Sequence, residues 1–282
     1  MKIKNNLRKV AKWILSENGS KVSVEIVQIN VGNIHKGKTF LITGGSKGLG
    51  FQIASKIVSE GGRVLITGRN KDSLLKATKA LGKSSDYIAF DNSNVVDIPN
   101  LFVSARKKIG RIDHMICNAG ISNHDGDYSK VTEESWDQTF DINLKGSFFM
   151  AQEFLKIKHR EKEQYGSILF ISSETGKQNY DIPYGLTKAA LNSLTGALAR
   201  REVRNGIRVN AIAPGVTVTE MTKSYTDVTN EDYSFPSASG RLFLPEEIAE
   251  TASFLLSDAA KCISGEIIHT NLGNHLNPWW EQ

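Results

Sequence analysis

The feature that most constrains the fold is a regular alternation of short β-branched runs with longer amphipathic stretches, which begins near Lys38. Such runs predict strands, and the amphipathic stretches predict helices that cross from one strand to the next. The predicted strands are 39–43, 63–67, 87–90, 114–117, 167–171, 207–212 and 266–269, and helical periodicity covers 52–59, 136–158 and 189–204. Strands joined by helical crossovers build a parallel sheet with helices on both faces. The sequence therefore predicts an α/β fold with a doubly wound parallel sheet.

A single domain preceded by a basic extension accounts for the length of the chain. A chain of 282 residues with 40% hydrophobic residues can bury a core of ordinary size. Residues 1–36 lie outside the alternation and carry seven basic and two acidic residues, a difference of +5 that equals the net charge of the whole chain. Within them, 7–15 predicts a basic helix and 21–31 a strand-like stretch. We expect residues 37–282 to form the domain and the extension to be dispensable for catalysis.

The composition argues against export, a membrane span and a metal site. Cys117 and Cys262 have no metal-ligand spacing, and two cysteines fit a reducing cytoplasm. No run of about eighteen apolar residues occurs, so no transmembrane segment is predicted. The apolar patch 10–15 is interrupted by Lys12 and lacks a cleavage site close behind it. We expect a cytoplasmic protein without a metal or a nucleic-acid partner.

A glycine-rich turn after the first predicted strand indicates nucleotide binding. Residues 43–50 read TGGSKGLG and lie directly between a strand and a helix. The glycines let the main chain turn tightly and bring N–H groups against a pyrophosphate, and the dipole of the following helix favours the anion. The placement between strand and helix argues against a merely flexible loop. The turn therefore predicts a Rossmann-type nucleotide-binding fold.

The order of the motifs resembles that of the short-chain dehydrogenase/reductase family over about residues 36–273. The matching motifs are TGxxxGxG at Thr43 to Gly50, Asp91, Asn118-Ala119-Gly120, Asn143, Ser173, Tyr184 with Lys188, and Pro214-Gly215. The resemblance implies an oxidoreductase that moves a hydride between a nicotinamide cofactor and a small carbonyl or alcohol substrate. It also implies a homo-oligomer, a dimer or a tetramer, because helices equivalent to 136–158 and 189–204 commonly pair between subunits of the family.

The resemblance further implies which residues contact the cofactor. Asn118-Ala119-Gly120 would lie beside the adenosine, Asp91 and Asn92 would face the adenine, and the segment 214–219 would hold the carboxamide. A plain turn residue is the alternative role for Asp91. The full expected set is Gly44, Ser46, Lys47, Gly48, Leu49, Gly50, Arg69, Asp91, Asn92, Asn118, Ala119, Gly120, Tyr184, Lys188, Pro214, Gly215, Thr217 and Thr219.

The end of the second strand predicts NADP(H) as the cofactor. NAD-specific relatives place an acidic residue there, which accepts hydrogen bonds from the ribose and would repel a 2′-phosphate. This chain has Gly68 followed by Arg69, whose planar fork of donors can bind a phosphate, and Lys47 in the glycine-rich turn adds a second positive charge. The alternative is that Arg69 only begins the next helix and Lys47 is a solvated loop residue.

The candidate catalytic residues follow the middle strands of the predicted sheet. Tyr184 and Lys188 are four residues apart at the start of a helical stretch, so they project from one face. A neighbouring ammonium favours phenolate and lowers the pKa of a tyrosine, which is ordinarily about 10. By family register Ser173 would polarise the substrate oxygen. Asn143 would position a water that relays protons through Lys188, with helix capping or kinking as its alternative role.

Two departures from the family pattern touch the substrate side. Tyr184 lies only eleven positions after Ser173, about two fewer than is common in the family, which leaves the choice between Ser172 and Ser173 open. The chain also has Asn271-Leu272-Gly273 where relatives often carry Asp-Gly-Gly. Substrate identity depends on this shortened loop, on the aperiodic stretch 222–240, which is typical of a lid or a disordered loop, and on 279–280.

Two other functions compete with the oxidoreductase. The first is a non-catalytic nucleotide-binding regulator or scaffold, which usually lacks the tyrosine or the lysine, and both are present here. The second is an epimerase acting on nucleotide sugars. The short chain after Pro214 leaves little room for the larger substrate domain that such an enzyme carries.

Overall fold

The computed structural model describes residues 32–224, 233 and 235–276. The expected helix 7–15, the strand-like stretch 21–31 and the tryptophans at 279–280 lie outside the described residues. So does most of the middle of the aperiodic stretch 222–240.

Seven parallel strands form one sheet in the order β3-β2-β1-β4-β5-β6-β7. They are β1 (Thr39–Ile42), β2 (Arg63–Gly68), β3 (Ser85–Ala89), β4 (His114–Cys117), β5 (Gly166–Ile171), β6 (Ile207–Pro214) and β7 (Ile267–Thr270). The predicted doubly wound sheet is confirmed, with strand ends shifted by one or two residues. The strand order reverses between β1 and β4, and ligands of such folds bind beyond the carboxyl ends of the strands at this point.

Seven α-helices of the described residues cover both faces of the sheet. They are α1 (Gly48–Ser59), α2 (Lys71–Leu81), α3 (Ile98–Ile109), α4 (Glu133–Phe140), α5 (Ser147–Arg160), α6 (Pro183–Glu202) and α7 (Pro245–Leu256). One half of the core packs α3, α5 and α6 on the sheet, and the other half packs α1, α2 and α7 on the opposite face. Because both faces are covered, the central strands are mostly apolar, and every residue of β5 is buried.

Local signals in the sequence explain where several helices begin. The side chain of Asn70 caps α2 by accepting a hydrogen bond from Ser73 N at 2.8 Å. Pro183 occupies the first turn of α6 and Pro245 that of α7, where the missing N–H costs no helical hydrogen bond. The first turn of α6 is therefore fixed by sequence, and this turn carries Tyr184.

The long helix predicted over 136–158 is interrupted. The structure runs from α4 to α5 through a π-helical segment, Asp141–Gly146. Asn92 Nδ2 donates a hydrogen bond to the Ile142 carbonyl inside this segment at 2.7 Å. A Cβ on Gly146 would lie 2.2 Å from the Asn92 carbonyl oxygen, so only glycine fits there. The segment carries Asn143, and such π-helical bulges are frequent at functional sites.

The turn just before β1 packs into the domain between α1 and α7. His35 N donates to the Glu60 carbonyl at 3.0 Å, and the His35 ring is fully buried with Nε2 at 2.9 Å from Ser253 Oγ. This turn therefore joins the core of the domain. Among the helices of the described residues none is both long enough and apolar enough to span a bilayer.

Candidate active site

The glycine-rich turn and the segment after β4 are locked together at the point where the strand order reverses. Thr43 Oγ1 accepts hydrogen bonds from Asn118 N and Ala119 N, both at 3.0 Å. In return, Asn118 Nδ2 donates to the Thr43 carbonyl at 3.0 Å and to the Gly44 carbonyl at 2.9 Å. Two of the expected cofactor segments are thus a single rigid unit.

The glycines of the turn are required by close contacts. Gly44 has φ +66°, and a Cβ there would lie 2.9 Å from the Ala119 Cα. A Cβ on Gly50 would lie 2.4 Å from the Gly44 carbonyl oxygen. Without side chains, the main chain is bare at the N-terminus of α1, where Gly48 adopts φ +56°. This cradle fits a pyrophosphate, which binds main-chain N–H groups at a helix N-terminus.

The segment after β6 approaches the same turn from the other side. A Cβ on Gly48 would lie 3.6 Å from Thr219 Cγ2. Thr217 is buried and donates from Oγ1 to the Gly215 carbonyl at 2.8 Å, while Thr222 Oγ1 donates to the Thr217 carbonyl at 2.6 Å. The segment is therefore held in a fixed shape beside the glycine-rich turn.

The expected 2′-phosphate site is basic. Lys47 and Arg69 are exposed, and neither side chain has an ion-pair or hydrogen-bond partner among the residues that the structure describes. Gly68 stands at the end of β2, where a Cβ would lie 3.5 Å from Ser46 Oγ, and it brings no carboxylate. This arrangement leaves two cations available to a phosphate.

Asp91 and Asn92 make structural contacts after β3. Asp91 Oδ1 accepts from Ser93 N at 3.0 Å and from Ser93 Oγ at 2.8 Å, as a turn residue does. Asn92 is buried and supports the π-helical segment through Ile142. This support was not predicted from the sequence. Their expected contacts with the adenine stay predictions.

Tyr184 and Lys188 lie on the first turns of α6. Lys188 Nζ is 5.3 Å from the centroid of the Tyr184 ring and donates a hydrogen bond to the Ile171 carbonyl, at the end of β5, at 2.8 Å. Lys188 is buried, and this burial lowers the pKa of its ammonium to about 8. The group is therefore still mostly charged at neutral pH and loses its proton at slightly higher pH, within the range where many enzymes operate.

Asn143 joins this pair through the segment after β4. Its Oδ1 accepts from Ile121 N at 2.8 Å, and its Nδ2 donates to the Ile121 carbonyl at 2.9 Å. A Cβ on Gly120 would lie 3.3 Å from Asn143 Oδ1 and 3.7 Å from Lys188 Nζ. The structure therefore brings Gly120, Asn143 and Lys188 together at the carboxyl edge of the sheet.

The two serines after β5 face different surroundings. Ser172 Oγ donates to Asn192 Oδ1 at 2.6 Å and lies 3.3 Å from the Lys188 carbonyl, so it packs the strand against α6. Ser173 caps the short 3₁₀ turn Glu174–Gly176, and its Oγ accepts from Thr175 N at 3.3 Å. Its hydroxyl hydrogen is not used by that bond.

Comparison with known proteins agrees with this geometry. A family model described as enoyl-(acyl carrier protein) reductase matches residues 44–275. The structure of a short-chain type dehydrogenase/reductase from Mycobacterium ulcerans superposes with a TM-score of 0.78 at 30% sequence identity, over 86% of this chain and 91% of that one. The chain belongs to the short-chain dehydrogenase/reductase family.

Other members of the family are similarly close. A 3-oxoacyl-[acyl-carrier-protein] reductase of Rickettsia felis is 34% identical over 239 residues, which cover 84% of this chain and 96% of the relative. The crystal structure of a 3-ketoacyl-(acyl-carrier-protein) reductase from Brucella melitensis, complexed with NADH, gives a TM-score of 0.76 at 27% identity, over 86% of this chain and 99% of that one. The protein is an oxidoreductase of this family.

One further contact fixes the end of the loop between Ser173 and Tyr184. Gly185 follows Tyr184, and a Cβ at this position would lie 2.3 Å from Tyr180 Cβ. Tyr180 therefore packs directly on the first turn of α6, which only glycine permits. This contact was not predicted from the sequence, where the glycine next to the tyrosine was its only signal.

Proposed function

We propose that this protein is an NADP(H)-dependent oxidoreductase that interconverts a carbonyl compound and an alcohol, with Tyr184 as the general acid and base. The observation that carries the proposal is the buried Lys188 ammonium, 5.3 Å from the Tyr184 ring centroid and close to Asn143. This group lies at the carboxyl edge of the sheet, as the nucleotide cradle does.

The proton is handled by Tyr184 and Lys188. When bound, the reduced nicotinamide supplies a hydride to the carbonyl carbon. In the same direction the Tyr184 hydroxyl gives its proton to the carbonyl oxygen, which becomes the hydroxyl of the product. The charged Lys188 stabilises the phenolate that remains. Oxidation of an alcohol reverses both transfers.

Ser173 and Asn143 assist in this scheme. The Ser173 hydroxyl donates a hydrogen bond to the carbonyl oxygen and so favours the charge that develops on it during reduction. Ser172 is committed to Asn192 on α6, which favours Ser173 for this role. Asn143, fixed by the main chain of Ile121, positions a water that returns a proton to Tyr184 through Lys188.

NADP(H) rather than NAD(H) is the proposed cofactor. Support comes from the exposed Arg69 and Lys47 and from Gly68, which brings no carboxylate to the end of β2. The cofactor would be held by the set Gly44, Ser46, Lys47, Gly48, Leu49, Gly50, Arg69, Asp91, Asn92, Asn118, Ala119, Gly120, Tyr184, Lys188, Pro214, Gly215, Thr217 and Thr219.

A 3-oxoacyl thioester is the first substrate class to test. The supporting observation is that curated relatives from several bacteria carry the name 3-oxoacyl-[acyl-carrier-protein] reductase at 29–35% identity. A polyhydroxy acid is the second class, because a putative gluconate dehydrogenase from Agrobacterium tumefaciens gives a TM-score of 0.80 at 28% identity, over 89% of this chain and 100% of that one.

We also propose a homo-oligomer built on α5 and α6, in the cytoplasm. These helices and the segment before α5 line a largely apolar hollow of about 580 Å³, with Phe148 and Phe149 exposed at its edge. A second copy of the chain would cover this face.

The state of the cysteines supports a cytoplasmic location. Cys117 is buried and Cys262 is exposed, and both thiols are free, which fits a reducing compartment.

The test is a substrate panel with both cofactors. We expect NADPH oxidation with a 3-oxoacyl thioester to match the formation of the 3-hydroxyacyl product mole for mole. Faster turnover with a polyhydroxy acid would favour the second class. Binding of NADPH without turnover on any carbonyl or alcohol would favour the non-catalytic alternative.

A further inference from the structure

The turn that carries Ser173 is tied to the C-terminal segment by a half-buried carboxylate. Glu174 directly follows Ser173 and begins the 3₁₀ turn Glu174–Gly176. Its Oε2 accepts a hydrogen bond from Asn271 Nδ2 at 3.0 Å. Burial raises the pKa of this carboxyl, whereas the side chains of Asn271 and Asn274 lower it. Glu174 therefore bridges the end of β5 and the chain beyond β7.

The two asparagines are themselves fixed. Asn271 is 1% exposed, and its Oδ1 accepts from Gly273 N at 3.2 Å and from His275 Nδ1 at 2.9 Å. Asn274 Oδ1 accepts from Ser239 N at 2.7 Å, in the loop that precedes α7. The partners of Glu174 thus form a rigid clamp rather than a pair of mobile surface groups.

The turn depends on support from outside. Its own side-chain bond, from Thr175 N to Ser173 Oγ, is long at 3.3 Å. On one side Gly176 packs on α6, where a Cβ would lie 2.8 Å from Asn192 Nδ2. On the other side, among the described residues, Glu174 is held by its hydrogen bond from Asn271. Loss of this clamp would leave the Ser173 turn with its packing on α6 and its own main-chain hydrogen bond, from Gly176 N to the Ser173 carbonyl at 3.0 Å.

We propose that Glu174 is a positioning residue, which fixes the Ser173 hydroxyl through its clamp to Asn271 and Asn274. The proposal rests on the proposed function, in which that hydroxyl binds the substrate oxygen. It also explains why residue 271 is an amide. An aspartate there would place a second carboxylate about 3 Å from Glu174, where like charges oppose each other.

Four variants separate positioning from a purely structural role. In Glu174→Ala we expect kcat to fall at least about tenfold, because small displacements of a catalytic group are costly, while NADPH affinity stays unchanged. Glu174→Gln keeps an acceptor and should retain most of the activity.

Asn271→Asp should lose activity as the pH rises through the range in which carboxyl groups ionise. The double variant Glu174→Gln with Asn271→Asp should recover this activity. Glu266→Ala, an exposed glutamate before β7, is the matched control.

The titratable groups around the clamp are also present in the wild type. They are His275, His269 and Lys177. His275 donates a hydrogen bond to Asn271, and His269 stacks on His275 with ring centroids 3.8 Å apart. Burial lowers the pKa of both histidines, and the charge of Lys177 lowers it further. The activity of Asn271→Asp is therefore compared with that of the wild type at each pH. Rescue by the double variant assigns it to the two carboxylates.

Hydrogen exchange of the main chain over residues 172–178 tests the clamp without a substrate. We expect faster exchange there in Glu174→Ala than in the wild type and in Glu266→Ala. If the wild type lacked turnover, the proposed function would fail, whereas this exchange result would still decide the clamp. Wild-type turnover in Glu174→Ala, or unchanged exchange over 172–178, would overturn the proposal.

Discussion

At the scale of single residues, burial decides what the catalytic pair can do. The four-residue spacing of Tyr184 and Lys188 placed both on one helix face, and the structure agrees. The pKa of Lys188 is lowered by burial, and its ammonium donates to the Ile171 carbonyl. Burial depends on how α6 packs against the rest of the fold, so the shift could not be derived from the motif.

The first prediction concerns pH. Burial lowers the pKa of Lys188 to about 8. The positive charge that stabilises the Tyr184 phenolate is therefore present below that pH and is lost above it. Tyr184 also has to be protonated for reduction. We therefore expect kcat/KM for reduction to fall on the alkaline side, with an apparent pKa that belongs to the coupled pair. A pH–rate profile that stays level from neutral to strongly alkaline pH, in a protein that remains folded, would contradict this.

The second prediction concerns cofactor choice. A charge-assisted hydrogen bond contributes roughly 1.5 to 3 kcal/mol, which is about a ten- to hundredfold change in affinity. We expect NADPH to bind at least about tenfold more tightly than NADH, and Arg69→Ala to lose most of this margin. Fluorescence titration of both cofactors measures it. Lys79→Ala, an exposed lysine near the far end of α2, is the control, and equal affinities in the wild type would refute the assignment.

At the scale of elements, helix and strand patterns were readable, whereas deviations from them were not. The apolar period of 136–158 predicted one helix. The π-helical segment Asp141–Gly146 depends on a contact with Asn92, a residue far along the chain. The choice between Ser172 and Ser173 was open for the same reason, since Asn192 on α6 takes the Ser172 hydroxyl.

The third prediction concerns the turn before β1. Burial is the main cause that lowers the pKa of His35 to about 4, from about 6.5 in the unfolded chain. The unfolded state therefore binds more protons between these values, and stability is lost as the pH falls through this window. The unfolding free energy that His35 removes over this window is about 3 kcal/mol. We expect His35→Gln to lose less stability than the wild type between neutral pH and pH 4, measured by denaturant unfolding.

Buried His114 acts in the same direction, so the comparison between the two proteins isolates His35. Identical losses of unfolding free energy in the wild type and the variant would show that the folded protein admits a charged His35.

At the scale of the whole molecule, the alternation of strands and helices was sufficient to predict the parallel sheet. The strand order then follows from right-handed crossovers and the reversal between β1 and β4. Surfaces were harder to predict, because an apolar residue on a helix can face either the core or a second subunit. Phe148 and Phe149 are exposed in the single chain, while Met150 next to them is buried.

The fourth prediction concerns assembly. Phe148→Glu places a charge on the proposed interface, and burying an unpaired charge is costly. Since Phe148 is 41% exposed in the single chain, we expect the variant to fold and to sediment as a smaller species than the wild type. Leu75→Glu, which changes an exposed leucine on α2, should leave the assembly unchanged. A wild type that sediments as a monomer would contradict the proposed oligomer.

The central claim, that Tyr184 transfers the proton in a nicotinamide-dependent reduction, is tested most directly by comparing the wild type with Tyr184→Phe. The measurement is the rate of NADPH oxidation with a carbonyl substrate of the wild type, together with the affinity of each protein for NADPH. The variant keeps the ring and removes the hydroxyl, so we predict a loss of ~10² to 10⁴-fold in kcat with NADPH affinity unchanged. Equal rates in the two proteins would show that Tyr184 does not transfer the proton.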